Sequence, residues 1–248
     1  MTASKAVSTP IGAHFKLRAV KDDQKELESL HMRNMPYSNA VGSIMYMMIS
    51  TRPDISYGLG LLSRFMSKPS REHWQAINWL LKYLKGSSKL KLKYSKLPTY
   101  LCEVVGYCDL DYASDLDKRR SISSYVFTVD GNVVIWKSNL QNVLALSTTE
   151  AGYISHIEAV KEVLWIKGFV TELGFEQKVV TIFCDSQSSI HLSKNSVFHE
   201  RTKHIDVRLH FGRDIISQGS VNVQKIDNLV NPADVMTKVV SVGKLKDL

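Results

Sequence analysis

LCEVVGYCDLDYASDLDKRRSISSYVFTVDGNVVIWKSNL, residues 101–140, decides the class of the fold. Residues 101–108, 121–129 and 132–138 are rich in β-branched and aromatic side chains and read as three strands. Asp130-Gly131, between the last two, is the dipeptide that favours a two-residue hairpin turn. Further along, the spacing predicts a long helix from about Ser147 to Leu173, closed by Gly174, and a strand over 179–184. A helix from Asp185, another near 203–217, a strand over 220–226 and a helix opening at Asn231 complete the series. Three antiparallel strands followed by alternating units imply an α/β fold in which a mixed sheet is flanked by helices.

Toward the N-terminus the pattern changes. Residues 1–35 have weak periodicity and read as an irregular lead-in. Residues 37–49 repeat apolar side chains at helical spacing, Pro53 and Asp54 open a second helix to about Met66, and Ser70 caps a third. That third helix carries Trp74, Ile77, Leu80, Leu81 and Leu84 on one stripe and ends at Gly86. Hence the expected division is a lead-in at 1–35, a small helical unit at 36–98 and an α/β domain at 99–248. KLKLKY at 89–94 has strand period with one charged face, and two readings stand: an edge strand protected by lysines, or a nucleic-acid contact.

Composition narrows the class. The 248 residues are 44% hydrophobic, enough for an ordinary core, and carry a net charge of +8. Charge is uneven: residues 1–98 hold 16 Lys/Arg against 6 Asp/Glu, a net +10, while the remainder is mildly acidic. A basic front joined to an acidic back suits a polyanion-binding arm attached to a metal site, with a merely solvated surface as the plainer reading. Cys102, Cys108 and Cys184 have neither zinc-site nor disulfide spacing and point to a reducing compartment. The start shows no secretory leader, and the longest apolar run, 40–49, is too short for a bilayer. An intracellular protein with no membrane partner is expected.

Four acidic residues sit where elements meet. Glu150 lies three residues after Ser147, so STTE reads as a capping box; Asp185 suits an N-cap; Asp234 in NPAD complements a helix dipole; Asp109 suits a turn. Singly, each is explained by structure. Together they suggest a site, because first and fourth strands lying side by side in parallel would present both aspartates at their C-terminal ends, the usual ligand edge of an α/β sheet. Four carboxylates gathered there repel one another unless cations compensate them, and oxygen-only donors select Mg²⁺, then Mn²⁺. Two such ions about 4 Å apart activate water and steady a leaving oxygen in phosphodiester hydrolysis. A calcium loop starting at Asp109 would need Gly at 114 and Glu at 120, where the chain has Ser114 and Arg120.

With these residues in view, the chain resembles the ribonuclease H region of copia-type LTR retrotransposon Pol polyproteins. The likeness rests on GYCDLDYASD (106–115) with RRSIS (119–123), STTEAGY (147–153), IFCDSQSSI (182–190), FHERTKHIDVRLHF (198–211) and NPADVMTK (231–238), in that order. PYSNAVGSIMYMMISTRPDISY (36–57) and SREHWQAINWLLKYLKGS (70–87) resemble the segment after the polymerase palm. The resemblance implies a ribonuclease H-like fold and an endonuclease cutting the RNA strand of RNA–DNA hybrids. It makes Asp109, Glu150, Asp185 and Asp234 the catalytic and metal-binding set for two Mg²⁺ ions, with Mn²⁺ as substitute. Arg119, Arg120, Lys137, Arg201 and Lys203 are the expected nucleic-acid contacts, though Arg201 and Lys203 with His204 serve equally as a brace for the following helix.

The implied partners are the hybrid and the upstream polymerase part, in a cytoplasmic virus-like particle or the nucleus. The competing readings are an inactive remnant that only binds nucleic acid, and a DNA nuclease or integrase on the same fold. Gly152 stands where the family usually has a second glutamate and Gly212 where it has a bulky apolar residue, and both suit a drifting copy. The polymerase's paired aspartates are absent from this chain, and the nearest histidine before Asp234 is His210, too distant to be given a role.

Overall fold

The computed structural model describes residues 4–96, 101–194 and 206–239. The chain divides into two compact units: residues 1–92, 115–119 and 238–248 form one, and 93–114 with 120–237 the other.

The first unit is helical: α1 (Lys25–Met32), α2 (Tyr37–Thr51), α3 (Ser56–Ser63) and α4 (Arg71–Gly86). Their apolar stripes meet in a core of Val41, Ile44, Ile55, Leu59, Leu62, Ile77 and Leu80. The expected stripe of α4 holds, with Ile77 and Leu80 buried and Trp74, Leu81 and Leu84 packed at the margin. Ser70 caps α4 as expected, and its partner in the capping box is His73, whose Nδ1 accepts the Ser70 N–H at 2.8 Å. Pro53 and Asp54 open a 3-10 turn, Pro53–Ile55, before α3 begins. Asp54 accepts two hydrogen bonds from Arg52, at 2.9 and 2.7 Å, and a third from the Tyr83 hydroxyl at 2.7 Å.

Two expectations for this front segment fail. The lead-in contains α1, which escapes notice because Met32 alone of its residues is buried while Leu27 and Leu30 face solvent. It is tethered instead by Glu28, which accepts the backbone N–H of Arg71 at 2.8 Å. KLKLKY is irregular rather than a strand over 90–94, since alternation alone supplies no neighbour to complete a ladder.

The second unit follows the expected order. Strands β1 (Val104–Asp111), β2 (Ile122–Val129) and β3 (Asn132–Leu140) form an antiparallel meander, with Asp130 (φ 49°) and Gly131 (φ 75°) both left-handed at the hairpin, as a type I′ turn requires. Then come α5 (Thr148–Glu172), β4 (Val180–Cys184), α6 (Gln187–Lys194), α7 (Asp206–Ser217) and β5 (Val221–Lys225). The sheet order is β3-β2-β1-β4-β5, with β4 parallel to both β1 and β5. This is the mixed sheet flanked by helices that the element order implies. Helix α5 packs on β1, β2 and β4 and is covered by α6 and α7, so its first half is buried all round. The last helix is shorter than expected: Pro232–Met236 is a 3-10 turn capped by Asn231.

Burial pulls His73 down from 6.5 to about 4, against the pull of Asp117 and Glu28. Between these values the unfolded chain binds a proton that the folded chain refuses, so stability is complete above about pH 6.5 and declines as the pH falls toward 4, by at most about 3 kcal/mol. His73→Gln, which retains a capping-box acceptor, should flatten that slope in urea melts between pH 7 and 4. A slope unchanged by the substitution would place the acid sensitivity in other groups.

Candidate active site

Asp109 lies inside β1, one residue past Cys108, whose parallel partner across β1 and β4 is Cys184. Asp185 follows Cys184 directly, so both aspartates emerge at the same C-terminal edge of neighbouring strands, as the sequence reading requires. Asp185 is not the cap of α6; the helix starts two residues later, and Ser186 accepts the Ile190 N–H. Glu150 stands in the first turn of α5, at that same edge because the meander ends there. The Ser147 hydroxyl accepts the Glu150 N–H at 3.2 Å, but the Glu150 carboxylate reaches past the cap to accept the Leu146 N–H at 3.0 Å. The expected capping box is thus only half formed, and the carboxylate is held on the loop before the helix.

Asp234 arrives from the far end of the chain on the turn Pro232–Met236, and side chains tie this turn across three strands. Asn231 Nδ2 donates to the Cys108 carbonyl at 3.0 Å, while Ser124 and Ser138 donate to the carbonyls of Ala233 and Met236 at 2.8 and 2.6 Å. The Thr237 hydroxyl donates to the Asp109 carboxylate and lies 3.1 Å from the Asp234 carbonyl oxygen. Ser155 of α5 donates to the Asp109 carbonyl at 2.8 Å. Asp109, Glu150 and Asp234 are 3%, 6% and 1% exposed; Asp185 is the more open of the four. Burying three carboxylates at one edge is costly unless cations compensate them.

The donor set fits hard divalent ions, since every candidate ligand is a carboxylate oxygen. Among the described residues, no three of these carboxylates bring their oxygens within 4.8 Å of one another. A pair of ions about 4 Å apart, each about 2.1 Å from its ligands, spans about 8 Å, so ligands on its opposite sides stand well beyond 4.8 Å from one another.

The expected nucleic-acid contacts are dispersed. Arg119 is exposed, has positive φ (56°) and belongs to the helical unit, whereas Arg120 is half-buried and belongs to the sheet unit. Lys137 is exposed on edge strand β3, opposite Tyr125 in register, with its Nζ 5.9 Å from that ring's centroid. Arg201 and Lys203 lie outside the described residues.

Sequence reasoning missed one cluster. Cys108, His156 and Cys184 bring Sγ, a ring nitrogen and Sγ within 4.8 Å of one another, all buried. Their separations along the chain match no metal motif because the fold, not a local loop, brings them together. The available signal was a cysteine immediately before an aspartate in each of two strands expected to be parallel neighbours.

Both unusual glycines prove to be close approaches. A Cβ on Gly152 would lie 2.9 Å from Leu110 Cδ2 and 2.9 Å from Ser189 Cβ; one on Gly212 would lie 1.7 Å from Ile157 Cδ1. The glycines therefore fit this packing, and drift is not needed to explain them.

A transposon TNT 1-94 retrovirus-related Pol polyprotein from Nicotiana tabacum is 46% identical over 246 residues, 99% of this chain. One from transposon RE1 of Arabidopsis thaliana is 34% identical over 97% of this chain. The chain belongs to the retrovirus-related Pol polyproteins of transposons. It spans 18% and 16% of the lengths of these two relatives. No protein-family model matches this Pol-type chain. Among solved structures, an RNase H1 from Halobacterium salinarum NRC-1 is 14% identical with a TM-score of 0.39, covering 54% of this chain and 93% of that one.

Placing a glutamate at position 152 should be harmful here. Gly152→Glu is expected to lower stability by about 1–3 kcal/mol through overpacking, measured as a shift in urea midpoint at constant m. A midpoint equal to the parent's would mean that α5 and α6 can separate freely at this contact.

Proposed function

We propose that the sheet unit is a metal-dependent endonuclease that hydrolyses the RNA strand of RNA–DNA hybrids, acting beside the polymerase part of a Pol polyprotein. The observation that carries this reading is the gathering of Asp109, Glu150, Asp185 and Asp234 at one sheet edge from four separate elements. Membership of the Pol family supports it. Asp109 and Asp185 would flank two Mg²⁺ ions (Mn²⁺ as substitute), Glu150 would hold the one nearer the RNA 2′-hydroxyl, and Asp234 would complete the set. Bound there, the ions supply a polarised water and charge for the departing oxygen.

The chain's own residues do the positioning. Thr237 and Ser155 fix Asp109 by its carboxylate and its carbonyl, and the Leu146 N–H fixes Glu150, so neither carboxylate must be ordered when the phosphate arrives. Asp185, the more open of the four, faces the approach of substrate. Preference for RNA over DNA requires contact with 2′-hydroxyls in the shallow minor groove. Arg119, Arg120, Lys137, Arg201 and Lys203 are the candidate backbone contacts, which position without reading sequence.

Asp109→Asn removes one charged ligand at nearly constant shape. Mg²⁺-dependent cleavage of a labelled hybrid should fall by about a hundredfold or more, while the thermal midpoint stays the same or rises as carboxylate repulsion is relieved. Undiminished cleavage by that variant would remove Asp109 from the mechanism, and cleavage of a DNA duplex in preference to the hybrid would favour the DNA-nuclease reading.

A further inference from the structure

Beneath the carboxylate edge lies a second constellation with different chemistry. Cys108 ends the stretch of β1 that pairs with β4, Cys184 ends β4, and the two are partners in register, so both side chains lie on the same face of the sheet. His156 projects from α5 onto them, and all three residues are 0–2% exposed. Neither ring nitrogen of His156 makes a hydrogen bond of ordinary geometry, although each is fully buried. Buried polar atoms are nearly always satisfied, so an imidazole with both nitrogens unsatisfied beside two sulfurs points to a missing partner. A disulfide between the cysteines would leave that imidazole as it is; a cation held by all three would satisfy it.

We infer that Cys108, His156 and Cys184 form a site for a thiophilic divalent cation, Zn²⁺, that ties β1, β4 and α5 together behind the candidate active edge. Two thiolates, a neutral imidazole and Zn²⁺ sum to zero charge, the state that burial favours. Zn–S distances of about 2.3 Å and Zn–N distances of about 2.0–2.1 Å separate tetrahedral donors by roughly 3.5–3.8 Å, so donors already within 4.8 Å close by about 1 Å. The Ser186 backbone N–H donates to Cys184 Sγ at 3.3 Å, the kind of bond that stabilises a thiolate ligand from behind. Binding releases the thiol protons to solvent, and the fourth position of the ion is left to water. Sulfur and imidazole donors prefer Zn²⁺ to Mg²⁺, so this site does not compete with the carboxylates for the hard ion.

The test uses the whole 248-residue chain, reduced and freed of metal, and its readout does not depend on nuclease activity. Co²⁺ titrated as a spectroscopic stand-in should give thiolate-to-metal charge-transfer absorption and tetrahedral d–d bands that saturate at one equivalent and are displaced by Zn²⁺. One equivalent of Zn²⁺, with Mg²⁺ present throughout, should raise Tm by several degrees. Cys108→Ser and Cys184→Ser should abolish the charge-transfer band, His156→Ala should weaken binding at least tenfold, and Cys102→Ser should change nothing. If a cysteine variant fails to fold, the band on the unsubstituted chain still decides. Absence of the band there, or its survival in folded Cys108→Ser, overturns the inference and leaves the three side chains as ordinary core packing.

Discussion

The parallel pairing of β1 with β4 is the constraint on which the rest of the sheet unit depends. Parallel neighbours cannot be joined by a tight turn and require a crossover. Here the crossover begins with the hairpin strands β2 and β3, whose net effect is to return the chain to the edge where β1 ended. Helix α5 must therefore start at that edge and descend across the sheet before β4 can rise beside β1. One pairing thus puts Asp109, Asp185 and the N-terminal turn of α5 on the same side, with no requirement that they be near in sequence.

Pairing sets the neighbourhood, but hydrogen bonds set the orientation. The turn carrying Asp234 buries Ala233 and Met236 in a small cluster with Val126, and its orientation is fixed by Asn231, Ser124, Ser138 and Thr237, each bonding into the sheet or back onto the turn. Asn231 and Thr237 are fully buried, so loss of either leaves unsatisfied partners in a dry setting, where such bonds are expensive to break. The price of this arrangement is a cluster of buried polar groups beneath a cluster of buried acids.

Most of the sheet unit was legible in the sequence because its signals are strong: β-branched strands, Asp130-Gly131, the Ser147 cap and Gly174 as stop. The same holds for the parallel pairing that sets Asp109 and Asp185 side by side, which followed from element order. What escaped has physical reasons. Helix α1 buries one residue, so it has no apolar stripe to read. KLKLKY has the period of a strand but no partner, and pairing is not a local property. The Asp109 position shifted from beyond β1 to within it, since strand ends depend on what the neighbouring strand offers. Gly152 and Gly212 looked like departures in a linear comparison and became contacts only once α6 and Ile157 stood opposite them. The spacing of Cys102, Cys108 and Cys184 matches no zinc motif, a criterion valid for loops and blind to side chains that strands and a helix bring together, as with Cys108, His156 and Cys184.

The bonds from Asn231 to Cys108 and from Thr237 to Asp109 join residues 123 and 128 positions apart. Contacts of that span form late, because the intervening chain must be ordered first. On the ribosome, at roughly 5–20 residues per second, the meander and α5 emerge about 3–13 seconds before the turn that completes the acidic edge. During that interval the nascent sheet holds three of the four acids but lacks the brace on Asp109. The acidic edge is therefore completed only when the last elements have docked, so a chain released early at any point before Asn231 has the body of the fold and an unfinished edge.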